Sequence, residues 1–155
     1  MTDARYGFDL PLLLAGAFRA VIDQLHEQLA AQGHPEARPI HGFALQAIGP
    51  DGATVSELGR RLAVTKQAAA KTAASLERLG YVVREAHPTD ARAVRLQRSP
   101  RGNEFLTLSA QIFDQLRAGW AQKLGYERLD ALEDALELIA GTTPLGDMPG
   151  WIAAN

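Results

Sequence analysis

The stretch TVSELGRRLAVTKQAAAKTAASLERLGYVV, residues 54–83, decides the fold. Thr54-Val55-Ser56-Glu57 has the form of a capping box, in which the Thr54 hydroxyl accepts from the Glu57 amide and the Glu57 carboxylate reaches back. A helix starts there, with Val55, Leu58 and Leu62 along one face and its end expected near Ala63. Thr65 can cap a second helix running to Leu79, with Ala69, Thr72, Leu76 and Leu79 inward and Gly80 as the stop signal. Two helices joined by so short a turn make a helix-turn-helix.

Beyond it, Tyr81-Val82-Val83-Arg84 switches to strand formers, and Val94-Arg95-Leu96-Gln97 alternates apolar with polar after a turn at His87 to Arg92. These segments pair as a hairpin, or wing. Ser99-Pro100 supplies an N-cap and a first-turn proline for a helix carrying Phe105, Leu108, Ile112, Phe113, Leu116 and Trp120. A last helix from Glu127 carries Leu129, Leu132, Leu136 and Ile139. Upstream, Leu14, Phe18, Val21, Ile22, Leu25 and Leu29 mark a long amphipathic helix over residues 8–31, stopped near Gly33 and Pro35. Pro39 can open a short helix with Phe43, Ala44, Ala47 and Ile48 inward, followed by the turn Gly49-Pro50-Asp51-Gly52.

A chain of 155 residues, 46% apolar and 22% charged, has the size and composition of one ordinary globular domain. The absence of cysteine excludes disulfides, thiolate zinc sites and thiol-based redox sensing. The apolar run Leu10 to Phe18 is far shorter than the roughly 20 residues of a spanning helix. It also follows Asp3 and Asp9, not a basic leader, so no membrane partner and a cytoplasmic location are expected. The net charge of −2 hides an asymmetry: residues 54–101 hold ten Lys or Arg against four acids, a net of +6, whereas the remainder holds six against fourteen, a net of −8. An acidic body bearing one basic segment suits a protein that presents a single face to phosphate.

The outward face of the second helix of the pair combines Lys66, Gln67 and Lys71 with the small Ala70 and Ala74. Such a face can approach a DNA groove closely: lysine donates to guanine or phosphate, glutamine pairs with adenine, and alanine meets thymine methyls. Lysine and glutamine are also ordinary exposed helix formers, so the wing matters. Arg92 and Arg95 fall at or near its tip, where arginine can enter a narrow minor groove. No phosphate-binding glycine loop, His-Glu-x-x-His pair or nucleophile elbow is present, and His26, His34, His41 and His87 are scattered. No enzyme activity, metal or cofactor is expected.

The run from Val55-Ser56-Glu57-Leu58-Gly59-Arg60-Arg61-Leu62 through Thr65-Lys66-Gln67 and Leu76-Glu77-Arg78-Leu79-Gly80-Tyr81-Val82 to Asp90-Ala91-Arg92, closing with Leu96-Gln97-Arg98-Ser99-Pro100-Arg101-Gly102, resembles the MarR family of transcription regulators. The resemblance spans nearly the whole chain. It implies a mainly α fold with a small β-hairpin wing, a winged helix-turn-helix lobe at about residues 54–98, and dimerisation helices at about 8–31 and 100–141. By the same resemblance Thr65, Lys66, Gln67, Ala70 and Lys71 face DNA, Arg92 is the wing arginine of an Asp-x-Arg motif, Asp90 orients the tip, and Arg95 and Arg98 anchor phosphate. Two departures are Ala63, where a left-handed turn residue would favour glycine, and Ala91, where a second arginine is frequent. The implied protein is a ligand-responsive repressor that reads a pseudo-palindromic operator as a homodimer. Its interface would hold Leu14, Leu132, Leu136 and Ile139. A small aromatic or anionic effector would meet Phe18, Arg38, His41, Phe43 and Trp120, unless the aromatics are core and His41 a capping residue. The competing reading is a winged-helix protein-interaction module that does not bind DNA.

Overall fold

The computed structural model describes residues 5–86, 88–90 and 93–141; His87, Ala91 and the expected wing arginine, Arg92, lie outside them. The described elements are α1 (Asp9–Ala31), α2 (Pro39–Ile48), β1 (Ala53–Thr54), α3 (Val55–Arg61), α4 (Lys66–Arg78), β2 (Val82–Ala86), β3 (Val94–Arg98), α5 (Pro100–Leu124) and α6 (Tyr126–Ala140). The architecture is mainly helical with a three-stranded antiparallel sheet in the order β1-β3-β2.

The helix starts follow the local chemistry. Thr54 Oγ1 accepts from the Glu57 amide at 3.2 Å and Glu57 Oε2 accepts from the Thr54 amide at 2.7 Å, the reciprocal pair of a capping box. Thr65 Oγ1 caps α4 through the Ala68 amide at 3.1 Å, and Ser99 Oγ caps α5 through the Gly102 amide at 3.0 Å. In the α3–α4 turn Ala63 adopts φ +51°, the left-handed conformation that costs a residue with a Cβ about 1–2 kcal/mol. The Val64 amide closes the turn on the Gly59 carbonyl at 2.9 Å.

One core joins the elements: Ile22, Leu25 and Leu29 of α1, Ala44, Leu45 and Ile48 of α2, Leu58 of α3, Ala69, Ala73 and Leu76 of α4, Leu96 of β3, and Phe105 and Ile112 of α5. Ala73 takes the buried place expected of Thr72, which lies at the margin. The hairpin pairs Val82 with Arg98 through Ala86 with Val94. The two-residue β1, absent from the sequence expectation, pairs Ala53 with Leu96. Where β2 meets α5 the backbones touch: a Cβ at Gly102 would stand 2.1 Å from the Tyr81 carbonyl oxygen.

Both ends of the described chain leave apolar side chains outside this core. Leu10, Leu12, Leu13 and Leu14 on α1 and Leu132, Leu136, Leu138 and Ile139 on α6 are exposed, and Leu129 alone of the α6 stripe is buried. Arg117 joins α5 to α6 through Glu133 at 2.6 Å and Asp130 at 2.9 Å. These carboxylates raise the Arg117 pKa, but exposed pairs add little stability.

Candidate nucleic-acid interface and adjoining cavity

Helix α4 is held from behind and bare in front. Ala69, Ala73 and Leu76 fasten it to the core, while Lys66, Gln67, Ala70, Lys71 and Ala74 are exposed on the opposite side. Among the described residues, no hydrogen bond or ion pair engages the side chains of Lys66, Gln67, Lys71 or, at the end of α3, Arg60. Thr65, expected to face DNA, is exposed and spends its hydroxyl oxygen on the α4 cap. Asp90 is exposed near the wing tip, and its carbonyl accepts from the Ala93 amide at 3.1 Å.

Other basic residues of this segment have internal partners. Arg84 bonds Glu77 at 2.8 Å, tying β2 to α4, and Arg78 reaches Glu36 at 3.4 Å. Arg101 donates to the Gly33 carbonyl at 2.8 Å and sits over the Tyr81 ring, 5.3 Å from its centroid. Arg95 and Arg98, expected at phosphate, instead hold backbone carbonyls. Arg95 Nη2 donates to Asp51 and Gly52 at 3.0 and 2.8 Å, and Arg98 donates to Leu45 and Gln46 at 2.8 and 3.4 Å. Burial lowers the Arg98 pKa from its ordinary value.

The five residues expected to line an effector cleft do not converge. His41 is buried beneath α2, where Nδ1 accepts from the Arg38 amide at 3.0 Å. Its proton therefore resides on Nε2, which donates to Ser75 Oγ of α4 at 3.0 Å. His41 is thus a capping residue, and burial first, then the charge of Arg38, depress its pKa to about 4. Arg38 is exposed, Phe18 packs on the core, and Trp120 borders a separate groove of about 320 Å³ between α5 and α6, with Leu129, Leu132 and Leu136. Phe43 alone reaches a cavity of about 100 Å³ between α1, α2 and α5, with Ile22, Leu25, His26, Gln46, Phe105 and Phe113 among its lining.

Sequence reasoning missed His26 here, although its place one residue after Leu25 puts it beside the buried stripe. Its Nδ1 is buried without a partner among the described residues, and desolvation is the main cause of its lowered pKa. A second buried histidine, His34, bonds the Tyr81 hydroxyl through Nδ1 at 2.8 Å and meets Phe105 edge-on. Burial lowers the His34 pKa and raises that of Tyr81. No cluster of three metal-ligating side chains occurs among the described residues, and no described helix is long and apolar enough to cross a membrane.

The sequence model of the MarR family matches residues 39–93, from the start of α2 into the wing. Wild-type apo MarR from E. coli is similar at 21% identity with a TM-score of 0.66, the match covering 84% of this chain and 96% of that one. YusO from Bacillus subtilis is similar at 20% identity and 0.66, over 87% and 94% of the two chains. A point mutant of S. aureus MepR bound to an oligodeoxyribonucleotide is similar at 17% identity and 0.64, over 90% and 99%. No curated protein matches the chain. Residues 39–93 thus carry the sequence pattern of the MarR family model, and the described chain has the winged-helix fold of these solved structures.

Proposed function

We propose that the chain is a sequence-specific double-stranded DNA-binding transcription regulator, acting in the cytoplasm as a homodimeric, ligand-responsive repressor on a pseudo-palindromic operator. The observation that carries this reading is the bare face of α4: Lys66, Gln67 and Lys71 project without partners among the described residues, beside the small Ala70 and Ala74. In the major groove Gln67 would read a base, Lys66 and Lys71 would meet guanine or phosphate, and the alanines would allow close approach. Asp90 and Arg92 on the wing would reach the flanking backbone or minor groove. Arg60 adds a cation at the end of α3.

The exposed leucines of α1 and α6 support the homodimer, because both stripes are exposed among the described residues of one chain. Two recognition helices would then meet half-sites about 34–36 Å apart. The effector reading moves to the cavity at Phe43. Its volume of about 100 Å³ is below the roughly 150 Å³ of an apolar cavity that accepts benzene, so a single ring is the largest occupant it would take, and only with some widening. With no Lys or Arg among its described lining residues, a neutral ring fits better than an anion.

Selection of duplexes from a randomised pool by the purified protein tests the reading. A recovered inverted repeat is the expected result, and a pool that stays random at low salt would leave the protein-interaction reading in its place.

A further inference from the structure

The carbonyl end of a helix carries partial negative charge and unmet acceptors, and is stabilised by a cation placed near it. Helix α2 has no basic residue in its own last turn. Two arginines from two other elements serve it instead, and a third serves the turn that follows. Arg61, in the last turn of α3, donates to the Ala47 and Ile48 carbonyls at 2.7 and 3.4 Å. Arg98, at the end of β3, donates from Nε to Leu45 and from Nη2 to Gln46. Arg95, mid-strand in β3, takes the next turn, at Asp51 and Gly52, where Gln97 also donates to Asp51 at 3.2 Å. The turn is tight: Gly49 and Gly52 adopt φ +72° and +80°, and a Cβ on Gly52 would lie 2.7 Å from the Leu96 carbonyl oxygen.

The end of α2 is therefore a point at which the helix-turn-helix and the wing are referred to each other, beside the direct Arg84–Glu77 tie. We infer that Arg61, Arg95 and Arg98 are positioning residues for DNA recognition, setting the wing and the helix-turn-helix at one relative angle through the carbonyls of the α2 end and of the turn after it instead of contacting phosphate. This rests on the DNA-binding reading above. Recognition needs α4 and the wing placed together within a fraction of an ångström to about one, so loosening their common anchor weakens the specific complex without removing a charge contact.

Lysine separates the two roles. It preserves the positive charge but cannot span two carbonyls with a planar fork. The experiment compares wild type with Arg98→Lys and Arg98→Ala on a duplex recovered by wild type from a randomised pool and on a random-sequence duplex, each titrated across salt. Arg98→Lys should bind the recovered duplex roughly tenfold or more weakly, as Arg98→Ala does, with random-duplex affinity and the salt slope unchanged. Recovery of wild-type affinity by Arg98→Lys, or a slope reduced by about one in Arg98→Ala, overturns the inference in favour of a phosphate contact. Hydrogen exchange of free Arg98→Lys tests the clamp without DNA. Faster exchange in the last turn of α2 and in β3, with α6 unchanged, is expected, and unaltered exchange overturns it. If wild type recovers no duplex, the DNA-binding reading and the DNA role of the clamp fail together, while altered exchange would still locate the clamp.

Discussion

Gly102→Ala sets two effects of known sign against each other. In the first turn of α5, replacing glycine with alanine favours the helix by up to about 1 kcal/mol. The new Cβ, however, would lie 2.1 Å from the Tyr81 carbonyl oxygen and 3.4 Å from Leu45 Cδ2. That carbonyl accepts from the Ser99 amide at 3.0 Å, and Tyr81 itself is packed against His34 and Phe105, so the obstruction is backbone with little room to retreat. Relieving it requires α5 and β2 to part by roughly 1 Å, a distortion of the overpacking kind that costs about 1–3 kcal/mol or more. The clash should win, leaving a net loss of about 1–2 kcal/mol, or a fall in Tm of about 2–4 °C for each kcal/mol in a chain of this size. Gly119→Ala, also in α5, is the control: nothing lies within 4 Å of its added Cβ, and it should stabilise the fold by about 0.5–1 kcal/mol. Urea unfolding midpoints of the two variants, at unchanged m-value, measure both. A Gly102→Ala midpoint equal to or above wild type would refute the close approach of α5 to β2.

Gln67→Ala should relax preference at one position of each half-site at a cost of about 1–3 kcal/mol, whereas Lys71→Ala should weaken all sequences evenly and lower the salt slope by about one. Selection on randomised operators distinguishes them, and identical profiles for wild type and Gln67→Ala would end the base-reading assignment. Leu136→Asp places an unpaired charge in the exposed α6 stripe and should abolish dimerisation, at a cost of several kcal/mol, and reduce operator affinity with it. Sedimentation equilibrium showing a folded dimer with normal affinity would remove Leu136 from the interface. His41 titrates at about 4 in the fold against an ordinary 6.5, so the unfolded chain binds more protons in that interval. Its contribution is complete above pH 6.5 and is lost as pH falls toward 4, with an upper limit of about 3 kcal/mol. His26 and His34 are displaced in the same direction. The loss in that window should be smaller in His41→Asn, measured by denaturant midpoints, and an unchanged profile would show that His41 does not carry it.

What was legible in the sequence was what is local. The caps at Thr54, Thr65 and Ser99 join residues three apart, so the sequence contains both partners and the structure forms all three. The stripes of α1, α5 and α6 are equally visible. A stripe does not say what covers it, which is why Leu129 is buried in the chain while Leu132, Leu136 and Ile139 are not. Strand β1 was illegible because two residues carry no periodicity; it exists through pairing with β3, more than forty residues later. The basic cluster was correctly counted but unevenly assigned. Arginine donates to phosphate and to peptide carbonyl with the same fork, and the sequence does not show that the carbonyls of the α2 end and of the turn after it lie within reach of Arg98 and Arg95. The expected cleft failed for a related reason: His41 lies on α2 two residues from Phe43, a spacing that turns their side chains to different sides of the helix.

The hairpin closes on itself at its base. Val82 pairs with Arg98, the Ser99 amide donates to the Tyr81 carbonyl, and the Ser99 hydroxyl donates to Gly80 while capping α5. The residues entering and leaving the wing are thereby stapled together before either reaches the tip. Insertions or deletions beyond Ala86 and before Val94 would lengthen or shorten the arm while its root, and the direction in which α5 departs, stay put. A fold with such a root can change the length of its arm without redesigning the body that carries it.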